Sequence, residues 1–127
     1  MTNVLWLDTP EGHDYPAAYS FLNLILGDNE AAAVIEALKV APVKQFKAKD
    51  IMRASRLPAL DENNRHVAKD LKKIKDGTPL SPILLVRGDA ATGVELIIAD
   101  GYHRSCAAYL LDENVEIPAQ IVSVSLK

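Results

Sequence analysis

The chain has 127 residues, 49% of them apolar, with 14 Lys and Arg against 17 Asp and Glu for a net charge of -3. That length predicts one domain whose core needs neither disulfides nor a structural metal, and the single cysteine, Cys106, permits no internal bridge. The opening stretch is acidic where an export signal would be basic, and the longest uncharged apolar run, 15–26, is short and broken by Pro16, Ser20 and Asn23; a cytoplasmic location is expected and membrane insertion is not.

In chain order, residues 4–7 read as a short extended stretch. Asp14 is expected to cap a first helix, with Pro16 in its first turn and apolar residues running through Phe21, Leu22 and Ile25 to Gly27. Asp28 is expected to cap a second helix, to Leu38, that is apolar nearly all round. Such a helix should be covered on more than one side, across the core or against a second copy of the chain in a homodimer. Residues 42–46 predict a strand, and 47–56 a turn or two of helix with Ala48, Ile51 and Met52 inward, ended by Pro58. Asp61 is expected to start a clearer helix to Lys75, because Val67, Ala68, Leu71 and Ile74 share a face while Lys69, Lys72 and Lys73 take others; Gly77 and Pro79 stop it. Residues 83–86 are a continuous apolar run between Pro82 and Gly88, the pattern of a strand covered on both sides. Further strands are expected at 94–99 and, after Pro118, at 121–124, with a helix from Ser105 to Leu111 between them. The order of elements predicts an α+β domain, in which residues 1–41 form a helical extension packed on the body formed by 42–127.

Charge is distributed unevenly. Residues 1–43 hold six acids and one lysine, 44–75 ten bases and four acids, and 76–127 seven acids and three bases. The basic block suits phosphates or an acidic partner, and it equally suits a lysine-rich helix face turned to water.

Chemistry concentrates in Asp100-Gly101-Tyr102-His103-Arg104, between the apolar runs VELIIA and SCAAYLL and so at a strand-to-helix turn. Unpaired N–H groups and the helix dipole make such a turn receptive to an anion. Gly101 lets the backbone come close, and His103 and Arg104 add donors, the guanidinium in a fork suited to phosphate. Asp100 would repel a phosphate unless it contacts Mg²⁺, accepts a proton or holds an amine. The same letters also fit a plain helix start with Asp100 as cap and a solvated first turn. Arg65 and His66 lie in the first turns of the helix expected from Asp61, on a face that suits water. His13 is assigned nothing. No zinc-ligand spacing, P-loop or Ser-His-Asp arrangement is present in the sequence.

The segments DLKKIKDGTPLSPILLVRG, LIIADGYHRSCAAYLL and IPAQIV, in that order, resemble the ParB/sulfiredoxin superfamily over about 80 of the 127 residues. The resemblance implies a small mixed sheet flanked by helices and a nucleotide-binding domain over 42–127. In that superfamily the turn holds nucleotide phosphates: CTP in partition ParB proteins, ATP in sulfiredoxins, and ADP or ATP in free-serine kinases, whose DG-x-HR turn is the most similar. It implies that Gly101, Tyr102, His103 and Arg104, with Arg65, line a nucleotide site, that Mg²⁺ accompanies the phosphates without a dedicated set of protein ligands, and that Asp100 or Glu62 accepts a proton. Tyr102 stands where sulfiredoxins carry their reactive cysteine, so their repair chemistry is not expected, and Cys106 reads as a small buried thiol. No helix-turn-helix follows within the sequence, so a ParB-type DNA clamp is not expected either. The functional expectation is a nucleotide-binding protein, as an ATP- or ADP-dependent phosphotransferase acting on a small-molecule or protein acceptor, or a nucleotide hydrolase. The alternative is a non-catalytic interaction module controlled by nucleotide or associated with nucleic acid.

Overall fold

The computed structural model describes residues 3–124. Among them five helices and four strands build an α+β fold: α1 (Asp14–Leu26), α2 (Asp28–Val40), β1 (Val43–Lys47), α3 (Ala48–Ser55), α4 (Arg65–Lys75), β2 (Ile83–Val86), β3 (Ile97–Asp100), α5 (Tyr102–Leu111) and β4 (Glu116–Val122). The sheet order is β1-β4-β2-β3. It is mixed, with β4 parallel to β2 and antiparallel to β1, and β3 antiparallel to β2.

Side-chain alternation along the strands divides the interior in two. Leu84, Val86 and Ala99 face Leu22, Val34, Ile35 and Leu38 of α1 and α2. Ile83, Leu85, Ile98 and Ile117 face Ala48, Ile51 and Ala108 of α3 and α5. The run ILLV is therefore buried at every position, as a strand with helices on both faces must be. Helix α4 lies outside α5, where Val67 and Ile74 close over Met52, Leu80, Cys106 and Ala107.

The extended stretch near the N-terminus is present, bridged to Leu80 through Trp6. Residues 1–41 contribute α1 and α2 to one face of the sheet. Helix α2 is less uniformly apolar than its letters suggest: Ala31, Val34, Ile35 and Leu38 are buried while Ala32, Ala33 and Ala37 are exposed. Alanine exposes little apolar surface, so one buried stripe suffices. A polar clamp ties the two helices to the sheet. The Tyr15 hydroxyl donates to Gln120 Oε1 at 2.7 Å, and Gln120 Nε2 donates to the carbonyl of Ala41 at 2.9 Å.

Several expected boundaries move. Asp14 is not a cap; it is the first residue of α1 and is buried. The cap position of α2 is Gly27, not Asp28. Helix α4 starts at Arg65 because Asn64 Oδ1 accepts from the N–H groups of His66 and Val67, at 2.9 and 3.2 Å, whereas Asp61 closes only a local turn onto Asn63 N. Helix α5 starts three residues before Ser105. Strand β3 begins later than expected, at Ile97, and β4 runs from Glu116 straight through Pro118. The proline is tolerated because β2 pairs with β4 only from Ala119 onward. No described helix is long and apolar enough to cross a membrane.

Candidate anion site at the start of helix α5

Strand β3 delivers Asp100 to the sheet edge, the chain reverses at Gly101, and α5 begins at once. Gly101 has φ 106° and ψ 19° as the N-terminal cap residue, a conformation that side-chain-bearing residues rarely adopt. A Cβ there would also lie 2.4 Å from Ile83 Cγ2 and 3.0 Å from Arg104 Nη2. Both constraints demand glycine. Gly101→Ala is expected to lower stability by about 2–5 kcal/mol, strained backbone and core overlap together. Urea unfolding measures this, and a loss below about 1 kcal/mol would mean that the turn relaxes freely.

The first helical bond of α5 runs from Ser105 N to Gly101 O at 2.9 Å, so the N–H groups before it point out of the helix end. Around that end lies a hollow of about 190 Å³ lined by Asp100 to Arg104 from the turn and by His66, Lys69, Asp70 and Lys73 from α4. Three cations thus meet two carboxylates and two imidazoles.

Arg104 is the most constrained of these. Its side chain is 17% exposed; Nη2 donates to Asp100 Oδ2 at 2.9 Å and, at 3.5 Å, to the carbonyl of Pro82. Its Nε is buried without a protein partner. Asp100 does not cap the helix, contrary to the plain reading of the turn; Arg104 takes its carboxylate instead. Burial pushes the Asp100 carboxyl above its ordinary range, against the pull of Arg104 and with a further push from Asp14. Burial likewise raises the Asp70 carboxyl, opposed by Arg104, Lys73, His103 and Lys69. Burial, then the neighbouring His66, lowers His103, whose ring centroid lies 4.7 Å from that of His66. His103 therefore presents a neutral imidazole at pH 7.

Tyr102 lines the hollow, but its hydroxyl donates to the carbonyl of Pro58 at 2.6 Å, which fixes the loop before α4. Glu62, in the turn before α4, and Arg65, at its first position, are exposed and do not line the hollow. The turn residues named from sequence come together; Glu62 and Arg65 do not join them. Sequence reasoning misses Lys69, Asp70 and Lys73 as members of the site, although with His66 they fall at i, i+3, i+4 and i+7 and so share a helix face, a signal the sequence does carry. Cys106 is fully buried, and burial pushes its thiol up, opposed by the Leu60 backbone and Tyr102; it is packing, not a nucleophile.

A larger hollow of about 520 Å³ lies on another face, over Phe46, Ile51, Leu85 and Leu96. Its three arginines face three carboxylates, and Arg53 is already bonded to Asp50 at 3.3 Å. Balanced charge around an apolar floor selects no anion. Among the described residues no group of three or more His, Cys, Asp or Glu is placed to hold a metal ion. The chain matches no protein-family model, no curated protein and no solved structure.

Proposed function

We propose that the chain is a ParB/sulfiredoxin-like protein that binds a nucleotide by its phosphates at the Gly101 turn. The observation that carries this reading is the convergence of Lys69, Lys73 and Arg104 on the open N-terminus of α5, with one guanidinium N–H buried and unclaimed. Cations, free backbone N–H groups and the helix dipole attract the same ligand, an anion with several oxygens. Size narrows it further. A hollow of about 190 Å³ is smaller than the ~300–1,000 Å³ that enclose a whole small molecule, so it suits phosphates while ribose and base lie outside.

Mg²⁺ would arrive on the phosphate oxygens, where it supplies charge neutralisation. For phosphoryl transfer or hydrolysis the chain offers two carboxylates at the hollow. Asp100 is engaged by Arg104, which leaves Asp70 placed to accept a proton from an acceptor hydroxyl or water. The alternative of nucleic-acid association is less favoured by the geometry: Lys69 and Lys73 turn into one hollow, and Lys72 is paired with Asp76 at 2.9 Å, so these lysines form no continuous stripe along a backbone.

A thermal-shift series with ATP, ADP, CTP, GTP and inorganic tripolyphosphate, each with and without Mg²⁺, tests the proposal. Ligand at a hundred times its Kd adds about 2.7 kcal/mol, which a domain of this size reports as several degrees. Stabilisation by nucleotides and tripolyphosphate is expected; no shift with any of them overturns the reading.

A further inference from the structure

Helix α4 brings one carboxylate to the cationic hollow without a counter-ion. Asp70 is half-buried and lines the hollow together with Lys69 and Lys73 of its own helix and His103 and Arg104 of α5. The charged side chains bonded at this end of the molecule are Lys72, to Asp76, and Arg104, to Asp100 and the Pro82 carbonyl. Among the described residues no ion pair or side-chain hydrogen bond involves Asp70, Lys69 or Lys73, although Lys73 stands one helical turn after Asp70. The Asp70 oxygens are not sealed in the interior either, since Arg104 Nε is the one buried side-chain polar atom left unpaired among those residues. An open carboxylate and two open ammonium groups therefore face the same space.

That mixture restricts the ligand. A cation is repelled by Lys69, Lys73 and Arg104. An anion with no hydrogen of its own brings its oxygens against the Asp70 carboxylate, and like charges repel. An anion that keeps one O–H reverses the sign of that contact, because the O–H donates to the carboxylate in a charge-assisted hydrogen bond while the remaining oxygens take the cations. A terminal phosphate meets both demands, since its second ionisation falls at about pH 6 and a carboxylate beside it favours the protonated form. Sulfate and phosphodiesters present similar tetrahedral oxygens but hold no proton near neutral pH. We propose that Asp70 is a specificity residue that makes the hollow a site for a terminal phosphate and turns away sulfate and phosphodiesters.

The proposal rests on the phosphate-site reading above and narrows it. Asp100 does not share the task, because Arg104 holds its carboxylate at 2.9 Å. A nucleotide then enters with its last phosphate and not with an internal one. A nucleic-acid backbone, made of diesters, meets the Asp70 carboxylate with no proton to offer. When an acceptor hydroxyl or water takes the place of the P–O–H, the same carboxylate receives its proton. His66 and His103 line the hollow as well. They are the same in wild type and in a variant at residue 70, so a change in selectivity between the two reports Asp70.

Inorganic phosphate, sulfate and dimethyl phosphate test the idea. Each is titrated at pH 7 into the ¹⁵N-labelled full chain, and the amide shifts of Gly101 to Ser105 give the dissociation constants. Sulfate carries the larger mean charge at this pH, so attraction alone favours sulfate. In wild type phosphate should nevertheless bind about tenfold or more tighter than sulfate, with dimethyl phosphate as weak as sulfate or weaker. The amide of Asp70→Asn is uncharged and donates as well as accepts. In that variant sulfate and dimethyl phosphate should each gain about tenfold, phosphate should change little, and the preference should collapse. If Asp70 acts only through its charge, its removal strengthens all three ions alike, which overturns the proposal. Equal affinity for phosphate and sulfate in wild type overturns it whether or not the variant folds. Both of those results leave an anion site standing. Unmoved amides with all three ions and with tripolyphosphate remove the phosphate site itself, and the selectivity with it.

Discussion

A chain cut to residues 42–127 is expected not to fold as a cooperative unit. The deletion removes Leu22, Val34, Ile35 and Leu38 from the face of the sheet and exposes Leu84, Val86 and Ala99 beneath them. Each large apolar side chain contributes roughly 1.5–3 kcal/mol on burial, so the lost face is of the same order as the ~5–15 kcal/mol that holds a domain together. Polar losses add to this. Gln120, 4% exposed, loses the Tyr15 hydroxyl and the Ala41 carbonyl together, and Ser81 loses Asp14, leaving buried groups unpaired at about 1–3 kcal/mol each. Circular dichroism should show no cooperative melting transition, and the fragment should aggregate. A soluble fragment with a sharp transition would mean that α1 and α2 are an appendage, and a core built on both faces of the sheet would then be wrong.

Arg104→Ala is expected to weaken nucleotide binding by about ten- to a hundredfold, the loss of a charge-assisted contact of roughly 1.5–3 kcal/mol. Arg104→Lys should fall between, since an ammonium keeps the attraction without the fork. Calorimetry in the presence of Mg²⁺ measures both, and equal affinity in wild type and Arg104→Ala removes the phosphate from this turn. The alanine variant should also lose stability, by roughly 1–3 kcal/mol at pH 7, more than a solvated first-turn arginine would cost. Arg104 is the charge that pulls the Asp100 titration down against burial. Without it the folded-state titration rises further above that of the unfolded chain, and the fold is penalised wherever unfolded Asp100 would ionise. Below about pH 4, where Asp100 is protonated in both states, the two proteins should approach equal stability. The deficit should grow as pH rises through the folded-state titration.

These effects show why Arg104 cannot be read as a surface residue with a single task. It holds the Asp100 carboxyl at 2.9 Å, and it faces the hollow that α4 closes. Ligand affinity, pH response and fold stability therefore meet at one guanidinium.

What the sequence determined by itself was local. The run Ile83 to Val86 reads as a strand covered on both faces because four consecutive apolar residues between a proline and a glycine leave little else. The end of α4 is legible because Gly77 takes a left-handed conformation, φ 77°, and Pro79 cannot continue a helix. The Gly101 turn stands out because glycine followed by two basic donors at a strand-to-helix junction is a local pattern. Tertiary structure decided the rest. Whether Asp61 or Asn64 caps α4 depends on which side chain reaches the helix N–H groups, and both residue types can. Pro118 reads as the end of a loop, yet it lies inside β4, because only the partial overlap with β2 makes its missing N–H harmless. Lys69, Asp70 and Lys73 carry the right spacing to share a face, but nothing in that spacing says which element the face meets; packing of α4 on α5 put them at the hollow. The hydrogen bond between Asp14 and Ser81 has no local signature at all, since sequence periodicity records which face of an element is buried and not which distant residue lies against it.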